Sequence, residues 1–499
     1  MKKINLAFIF SICCLMANAR ILYVATNGND ANNGSISAPF ATLTKFTSVA
    51  LAGDTCYVRG GVYTPTTQVI FQKSGTASAW IRIFNYPNET PIFDGANTNV
   101  RSFTHGFLKI HLANYLHVKG LEFRNTIKEE VGGIAILAAN NILIERCVAH
   151  HNRAVGFTLF GSSQRPSANI TYLNCDSYEN DDWGGATPHE DADGFQITSQ
   201  HVSNVKYTGC RAWNNGDDGY DFYFSPINQV TLERCWAFKN GFDVNGAPLA
   251  NGNGFKLGGN TATTGGITLK NCAAWQQNAG FTWNGGQGAF TVYNCVAWSH
   301  IYGNFDFGGT AVNNLKNNIA FEGPNYISAS TNQTFNSWTL PVTVTSADFA
   351  MLDDPAAKGP RQASGDLPVI QGLHLVSGSD LIDKGTNVGL PFTGSAPDLG
   401  AFEYTSSASS RMAPTANVAE TTLGKFAAFP NPVNDVLTIT LDEKVDQTRV
   451  SLFNSTGHLL LRKTINSQTT SIDFSNFKSG SYILKIEQNG KSFIQKIIK

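Results

Sequence analysis

The chain has 499 residues, of which 15% are charged and 11% are aromatic, and it contains 47 glycines. This length allows more than one domain or one elongated domain, and the composition favours a turn-rich β protein over a helical one. The formal net charge is −1, but residues 1–19 and 424–499 are both basic, which leaves residues 20–423 at about −7. Nucleic-acid-binding proteins usually present a basic face, so this acidic body argues against a nucleic-acid partner.

The N-terminal segment reads MKKINLAFIFSICCLMANA. A basic start, a short apolar stretch and small residues at its end predict a signal peptide over residues 1–19, cleaved after Ala19. The apolar stretch is too short to favour a membrane anchor. We therefore expect an exported protein.

A helical segment precedes a long repetitive region. Residues 38–55, APFATLTKFTSVALAGDT, have helical spacing. A helix at this place would cover the open edge of the first repeat, so we expect an N-terminal helical cap.

Two short motifs alternate through the middle of the chain. The first is a strand-like segment centred on a cysteine, and the second has the pattern Gly-apolar-x-apolar. The cysteines are Cys147, Cys175, Cys210, Cys235, Cys272 and Cys295, and the second motif includes GFTL (156–159), GFQI (194–197), GYDF (219–222), GFKL (254–257) and GFTW (280–283). Two strand motifs in each period of about 23–38 residues indicate stacked coils. Each coil is too short for a helix and three strands, which predicts a parallel β-helix.

The repeated cysteines have a structural interpretation. Export permits disulfides, but cysteines that recur once per coil favour an internal stack of small apolar side chains over disulfides or metal ligands. Asparagines follow the first four cysteines by five residues, at Asn152, Asn180, Asn215 and Asn240. We expect these to form a ladder of turn residues.

Two insertions interrupt the repeat at one corner. Four coils take 8 or 9 residues from the motif cysteine to the next motif glycine, but two coils take 19. The extra residues lie within 177–193 and 237–253. Insertions on one face of a repeat protein commonly build its binding surface.

The C-terminal part differs in composition. Residues 377–404 are interpreted as a closing segment of the β-helix, which sets the β-helical domain at 20–404. Residues 405–423 are rich in Ser, Thr and Ala and predict a linker. Alternating strands in 424–499 predict a separate small β domain.

The repeat alignment places acidic residues on neighbouring coils. The x position of the glycine motif points away from the interior, and successive coils place Thr158, Gln196, Asp221, Lys256 and Thr282 there. One position before the glycine, the column reads Asp193, Asp218, Asn253 and Ala279, with Asp217 beside Asp218. The alignment therefore predicts that Asp193, Asp217, Asp218 and Asp221 converge on one outer patch, with Lys256 one coil beyond.

Such a cluster either shifts its pKa values or holds a cation. Oxygen ligands on a rigid scaffold in an exported protein favour Ca²⁺ over zinc or copper; the alternative is a set of solvated turn residues. Lys256 is either a salt-bridge partner of Asp221 or a catalytic base, because a neighbouring divalent cation lowers the pKa of a lysine. A neutral amine beside a Lewis acid can abstract a proton.

Three motifs at these positions resemble polysaccharide lyase family 9, the right-handed parallel β-helix pectate lyases. They are DADGF (191–195), NNGDDGYD (214–221) and NGNGFKLGG (251–259). The resemblance implies that Asp193, Asp217, Asp218 and Asp221 bind the primary Ca²⁺ and that Lys256 is the catalytic base. It covers roughly residues 20–404.

The C-terminal domain resembles the sorting domain of the type IX secretion system of Bacteroidetes, on the motifs FPNPVNDVLTI (429–439), VSLFNSTGHLL (450–460) and SGSYILKI (479–486). This implies passage through the outer membrane by the secretion machinery, followed by release or surface attachment. A carbohydrate-binding module is the alternative for a small terminal β domain.

These observations predict a secreted or cell-surface, calcium-dependent, monomeric lyase that cleaves pectate (polygalacturonate) by β-elimination. The alternatives are a lyase on another acidic polysaccharide, a polygalacturonase-like glycoside hydrolase with Asp217 and Asp218 as paired carboxylates, and a non-catalytic, calcium-stabilised adhesin.

Overall fold

The structure is a computed structural model. It describes residues 19–98, 105–128, 131–199, 201–223, 228–259, 266–286 and 288–405, and most of the strands between 426 and 499. The predicted signal peptide lies outside the described residues except for Ala19, and the predicted linker lies outside them except for Thr405. Among the described residues, no helix is long and apolar enough to cross a membrane.

Three long parallel sheets wind around one core, as predicted for a parallel β-helix. The first sheet contains β1 (Ile21–Val24), β2 (Thr55–Val58), β5 (Ile81–Asn85), β8 (Asn114–Lys119), β11 (Asn140–Glu145), β14 (Ser167–Leu173), β17 (Val202–Thr208), β20 (Asn228–Glu233), β23 (Ile267–Lys270), β26 (Phe290–Tyr293), β29 (Asn314–Lys316) and β32 (Asn332–Thr334). The second contains β3 (Gly61–Tyr63), β6 (Pro91–Asp94), β9 (Glu122–Arg124), β12 (Val148–His150), β15 (Asp176–Tyr178), β18 (Arg211–Trp213), β21 (Trp236–Phe238), β24 (Ala273–Trp275), β27 (Val296–Trp298) and β30 (Ile319–Phe321). The third contains β4 (Val69–Phe71), β7 (His105–His111), β10 (Val131–Leu137), β13 (Phe157–Phe160), β16 (Phe195–Ile197), β19 (Tyr220–Asp221), β22 (Asn253–Lys256), β25 (Ala279–Thr282), β28 (Gly303–Phe307) and β31 (Asn325–Ile327).

The glycine motifs form the third sheet, and an aromatic stack sets their register. The ring that follows each motif glycine lies parallel to the ring on the next coil, with centroids 4.7–5.1 Å apart. The stack runs through Phe157, Phe195, Tyr220, Phe255, Phe281 and Phe305. The motif glycine is needed at the corner because a Cβ on Gly219 would lie 2.8 Å from the Gly254 carbonyl oxygen. The interior stack therefore fixes which side chains are neighbours on the outer face.

The interior confirms both structural ladders. The seven cysteines beyond the signal segment are free thiols and buried. The asparagine amides bond from coil to coil: the Nδ2 of Asn152 donates to Asn180, that of Asn180 to Asn215 and that of Asn215 to Asn240, at 2.9–3.0 Å. Gln277 continues the ladder by accepting from Asn240 at 3.0 Å. Each amide satisfies buried backbone or side-chain groups at a corner, which stabilises the sharp turn.

The N-terminal cap is a short helix, α1 (Leu43–Val49). Thr42 caps it by accepting a hydrogen bond from the Lys45 backbone N–H. Leu43 and Phe46 are buried in the core of the first coils, so the helix covers the open end as predicted.

Residues 340–404 do more than close the helix. They contain two short 3₁₀ helices, Ser346–Asp348 and Pro355–Lys358; a third 3₁₀ helix, Gly95–Asn97, lies near the N-terminus. Apolar side chains of this segment pack on the outer face of the second sheet, against residues such as Trp236 and Trp275. This face is apolar because it is covered, which the sequence interpretation of a terminal cap did not anticipate.

A buried ion cluster anchors the same segment. Asp176 accepts from the guanidinium groups of Arg211 and Arg361 at 2.6–3.0 Å. Burial raises the pKa of Asp176, but the two arginines outweigh it and hold the pKa below its usual value. Arg211 also donates to the carbonyls of Ala357 and Gly359, which joins the segment to the coils.

The chain divides into two compact units at residues 413 and 414. The second unit has two antiparallel sheets, one of β33 (Phe426–Phe429), β34 (Val436–Leu441) and β37 (Thr469–Asp473), the other of β36 (Leu459–Ile465), β35 (Thr448–Asn454), β38 (Ser481–Gln488) and β39 (Lys491–Ile498). Leu437 and Ile439 of one sheet share a core with Leu452 and Leu484 of the other. The unit is therefore sandwich-like, as predicted.

Candidate metal centre

The third sheet places the predicted residues on adjacent strands. Asp221 pairs in register with Lys256 of β22 on one side and with Gln196 of β16 on the other. The Gly194 N–H donates to the Asp218 carbonyl, which confirms that Asp193 and Asp218 are neighbours across two coils. The register predicted from the repeat is therefore correct.

Three of the four aspartates form a tight group. Asp193, Asp218 and Asp221 each offer a carboxylate oxygen, and these oxygens lie within 4.8 Å of one another. Lys256 Nζ lies 2.9 Å from Asp218 Oδ2 and 3.3 Å from Asp221 Oδ2. Asp217 is adjacent but is not a member of this group. In the part of the chain that the structure describes, no other set of His, Cys, Asp or Glu side chains comes together in this way.

Each carboxylate uses one oxygen for a hydrogen bond that orients it. Asp218 Oδ1 accepts from the backbone N–H and the side-chain amide of Asn253, at 2.7 and 2.8 Å. Asp221 Oδ1 accepts from the Tyr223 N–H at 2.6 Å. The second oxygen of each faces Lys256. Such fixed partners pre-organise ligands for an ion.

Asp193 and Asp217 are held in a similar way. Asp193 Oδ1 accepts from the Asp218 N–H at 3.0 Å, and Asp193 Oδ2 accepts from the Gln196 amide at 2.8 Å. Asp217 Oδ1 accepts from the N–H of Asn251 at 3.0 Å, which belongs to the second insertion. This bond turns Asp217 toward the insertion, and it explains why Asp217 stands apart from the other three.

The site is more buried than the sequence indicated. An outer patch was expected, but all four aspartates are at most 6% exposed, and the Lys256 side chain is 11% exposed. Both insertions contact the site: the Ala192 carbonyl accepts from the Asp217 N–H, and Asn251 donates to the Asp217 carboxylate. The insertions have no repeat pattern, so their cover over the site could not be predicted.

Burial makes the negative charges costly. Burial, reinforced by the neighbouring carboxylates, raises the pKa of Asp193 and of Asp217 well above the usual range. Burial also raises the pKa of Asp221, to about 6, although Lys256 opposes it. For Lys256, burial would lower the pKa, but Asp218 and Asp221 outweigh it and raise the pKa. Without a further cation, Lys256 is therefore an ammonium that neutralises part of the cluster.

The donor set fits a hard divalent cation. Every ligand atom is a carboxylate oxygen, the carboxylates are fixed by hydrogen bonds, and one lysine cannot neutralise four of them. Calcium prefers such oxygen ligands. Asp193, Asp218 and Asp221 have the geometry to share one ion.

Tyr223 was missed by the sequence interpretation. Its ring centre lies 5.5 Å from Lys256 Nζ, and the side chain is 40% exposed. Gly259 permits this position because its φ is +155° and a Cβ there would lie 2.2 Å from the ring. The signal was present in the sequence: Tyr223 is two residues beyond Asp221 and therefore on the same outer face.

Comparisons with known proteins agree with this arrangement. A family described as "Pel9A-like, right handed beta helix region" matches residues 22–318. Pectate lyase L of Dickeya dadantii is 32% identical over 405 residues, which cover 78% of this chain and 91% of the relative. Pectate lyase PEL9 of Emericella nidulans is 33% identical over 379 residues, which cover 69% and 90%.

Solved structures give the same result. The crystal structure of pectate lyase Pel9A is 30% identical with a TM-score of 0.67, covering 77% of this chain and 96% of that one. A rhamnogalacturonan lyase, 24% identical with a TM-score of 0.61, shares the fold. The protein is thus a polysaccharide lyase built on a right-handed parallel β-helix. It belongs to the Pel9A-like family.

The C-terminal unit is also identified. The family described as "Secretion system C-terminal sorting domain" matches residues 427–499. The chain therefore carries a type IX sorting domain, which indicates export followed by secretion or attachment at the cell surface.

Proposed function

We propose that the protein is a calcium-dependent pectate lyase that cleaves 1,4-linked galacturonan by β-elimination. The observation that carries the proposal is the position of Lys256 Nζ, 2.9 and 3.3 Å from two of three clustered, buried aspartates on the neighbouring strand. This places a potential base directly beside a potential cation site. The pectate lyases similar to this chain support pectate as the substrate.

Asp193, Asp218 and Asp221 would hold the ion, with Asp217 adding charge at the edge of the site. When bound, a calcium ion supplies positive charge that attracts a uronate carboxylate, acidifies the proton at C5 and lowers the pKa of Lys256. The Asn253 amide and the Tyr223 N–H keep the carboxylates in place throughout. A polyanionic substrate would otherwise be repelled by this acidic body.

Lys256 performs the proton transfer. Its neutral Nζ takes the proton from C5 of the uronate, and the electron pair of that C–H bond forms the C4=C5 double bond. The C4–O bond breaks, and the leaving oxygen takes up a proton to become the new hydroxyl end. The products are one saturated chain and one chain with a 4,5-unsaturated end.

The experiment is ultraviolet detection of unsaturated oligosaccharides from polygalacturonate. We expect product with calcium and none with EDTA. Saturated products that form equally with EDTA would instead indicate hydrolysis. No unsaturated product from polygalacturonate or from other uronans, with calcium present, would reject the lyase proposal.

The sorting domain supports the delivery of this activity outside the cell, where a polymeric substrate is accessible. We also propose that the N-terminal segment 1–19 is a signal peptide, that 405–423 links the two domains and that the enzyme acts as a monomer. Mass spectrometry of the secreted protein would test the first statement by locating the mature N-terminus, and gel filtration would test the last.

A further inference from the structure

The outer face of the third sheet continues well beyond the aspartate cluster. Two columns of side chains run along this face from coil to coil, parallel to the helix axis. Register pairs connect Asp221 through Gln196, Thr158 and Ala135 to Lys109 in the first column. Four strand spacings of about 4.8 Å separate the two ends, which gives about 19 Å.

The second column lies two residues further along each strand. Tyr223 stands at the cluster end, and the register continues through Phe160 and Leu137 to His111. Phe160 is half-buried and Tyr223 is exposed. Neither column contains an acidic side chain between Asp221 and its far end, and aromatic rings can lie against the apolar faces of sugars. This stretch is a neutral path.

The far end of the path is basic. Lys109 and His111 are on β7, and Arg165 is on the exposed turn between β13 and β14. Arg165 and Lys109 are both close enough to His111 that, after burial, their charges lower its pKa. The ring of His111 is oriented by Gln72, whose Nε2 lies 3.1 Å from His111 Nδ1. Positive charge is concentrated here on a body with a net charge of about −7.

We propose that Lys109, His111 and Arg165 form a distal subsite for a carboxylate of the same acidic polysaccharide chain that is cleaved at the aspartate cluster. The inference rests on the proposed function and extends it. An extended uronan carries a carboxylate on every sugar, and it would cross the neutral path before it meets positive charge again about 19 Å from Asp221. Charge-assisted hydrogen bonds at this distance strengthen the binding of long chains only. The subsite makes the enzyme selective for chain length.

The test compares substrates of increasing length. The Lys109→Met/Arg165→Gln variant removes both permanent charges and preserves side-chain size, and initial rates are measured on galacturonate oligomers from the trisaccharide to polygalacturonate. For the wild type, kcat/KM should rise steeply once the oligomer spans the path. The variant should lose this rise, with KM for the polymer increased about tenfold and kcat/KM for the trisaccharide within about twofold of the wild type.

The matched control is Lys206→Met/Lys270→Met, which removes two positive charges from the first sheet instead. It should keep the wild-type length dependence. The inference is overturned if the Lys109/Arg165 variant also keeps that dependence, or if it loses as much kcat/KM on the trisaccharide as on the polymer. If the double variant melts at a lower temperature than the wild type, Arg165→Gln alone, on the exposed turn, should still raise KM for the polymer about threefold, and no change would reject the subsite.

A binding measurement separates this inference from the proposed function. Calorimetric titration with polygalacturonate in EDTA needs no turnover. The wild type should bind at least fivefold more tightly than the Lys109→Met/Arg165→Gln variant, with a difference that shrinks as salt screens the charges. Equal affinities would overturn the distal subsite, whether or not the protein releases unsaturated products.

Discussion

Replacement of Lys256 by arginine separates the catalytic role of this residue from its structural one. Lys256 Nζ lies 2.9 and 3.3 Å from two carboxylate oxygens, and at an effective dielectric constant of about 20 each pair is worth roughly 5–6 kcal/mol of attraction before desolvation. Arginine keeps the positive charge and the ion pairs, but it has no neutral form near neutral pH. Lys256→Arg should therefore stay folded and lose activity by about 10²–10⁴-fold, the usual contribution of a general base.

The Lys256→Ala variant completes the comparison. Removing one partner of a buried ion pair typically costs about 3–5 kcal/mol, so this variant should unfold at a lower denaturant concentration than the wild type in EDTA. Calcium should restore much of that loss, because it binds the folded carboxylates and gains about 2.7 kcal/mol at 100 times its Kd. The assays are denaturant unfolding with and without calcium and the ultraviolet rate assay. Lys256→Arg activity above a tenth of the wild type would refute the base assignment.

Three further predictions concern the cluster and the fold. Asp218→Asn should weaken calcium binding measured by calorimetry at least tenfold, whereas Asp217→Asn should have a smaller effect because Asp217 lies outside the tight group; equal effects would contradict this ranking. Asp176→Ala should destabilise the first unit by about 3–5 kcal/mol in denaturant unfolding, since it leaves two buried arginines unpaired; a loss below about 1 kcal/mol would show that the ion cluster does not anchor the C-terminal segment. Burial would raise the pKa of Glu145, but hydrogen bonds from His117 and Lys119 outweigh it and lower the pKa to about 2; the folded pKa is below the unfolded value, so its contribution to stability, about 2 kcal/mol, is present above pH 4.5 and is lost as the pH falls toward 2. The stability difference between the wild type and Glu145→Gln should shrink over that range, and a constant difference would argue against the assignment.

The repeat made the register of the site predictable. Each glycine motif places one aromatic ring in the interior stack, so aligned motifs give aligned outer positions, and the pairs Asp193–Asp218 and Asp221–Lys256 follow. The same logic predicted the asparagine ladder and the buried thiols, because both recur once per coil.

Features without a repeat could not be derived in this way. The burial of the aspartates depends on two insertions of unique sequence, and the cover over the second sheet depends on residues 340–404, which have no periodic pattern. The protonation state of Lys256 depends on distances of 2.9–3.3 Å to Asp218 and Asp221. Sequence alignment places these residues on neighbouring coils but does not fix such distances.

The central claim is that a calcium ion held by the aspartate cluster is required for β-elimination. The most direct measurement is a calcium titration of the fully chelated enzyme, in which the rate of unsaturated-product formation is followed beside calorimetric calcium binding at the same pH. We predict that the calcium concentration that restores half of the rate agrees with the Kd of the wild-type site, and that Asp218→Asn shifts both together. Full turnover without calcium, or a rate that responds to calcium at the wild-type concentration when Asp218→Asn has weakened binding, would contradict the claim.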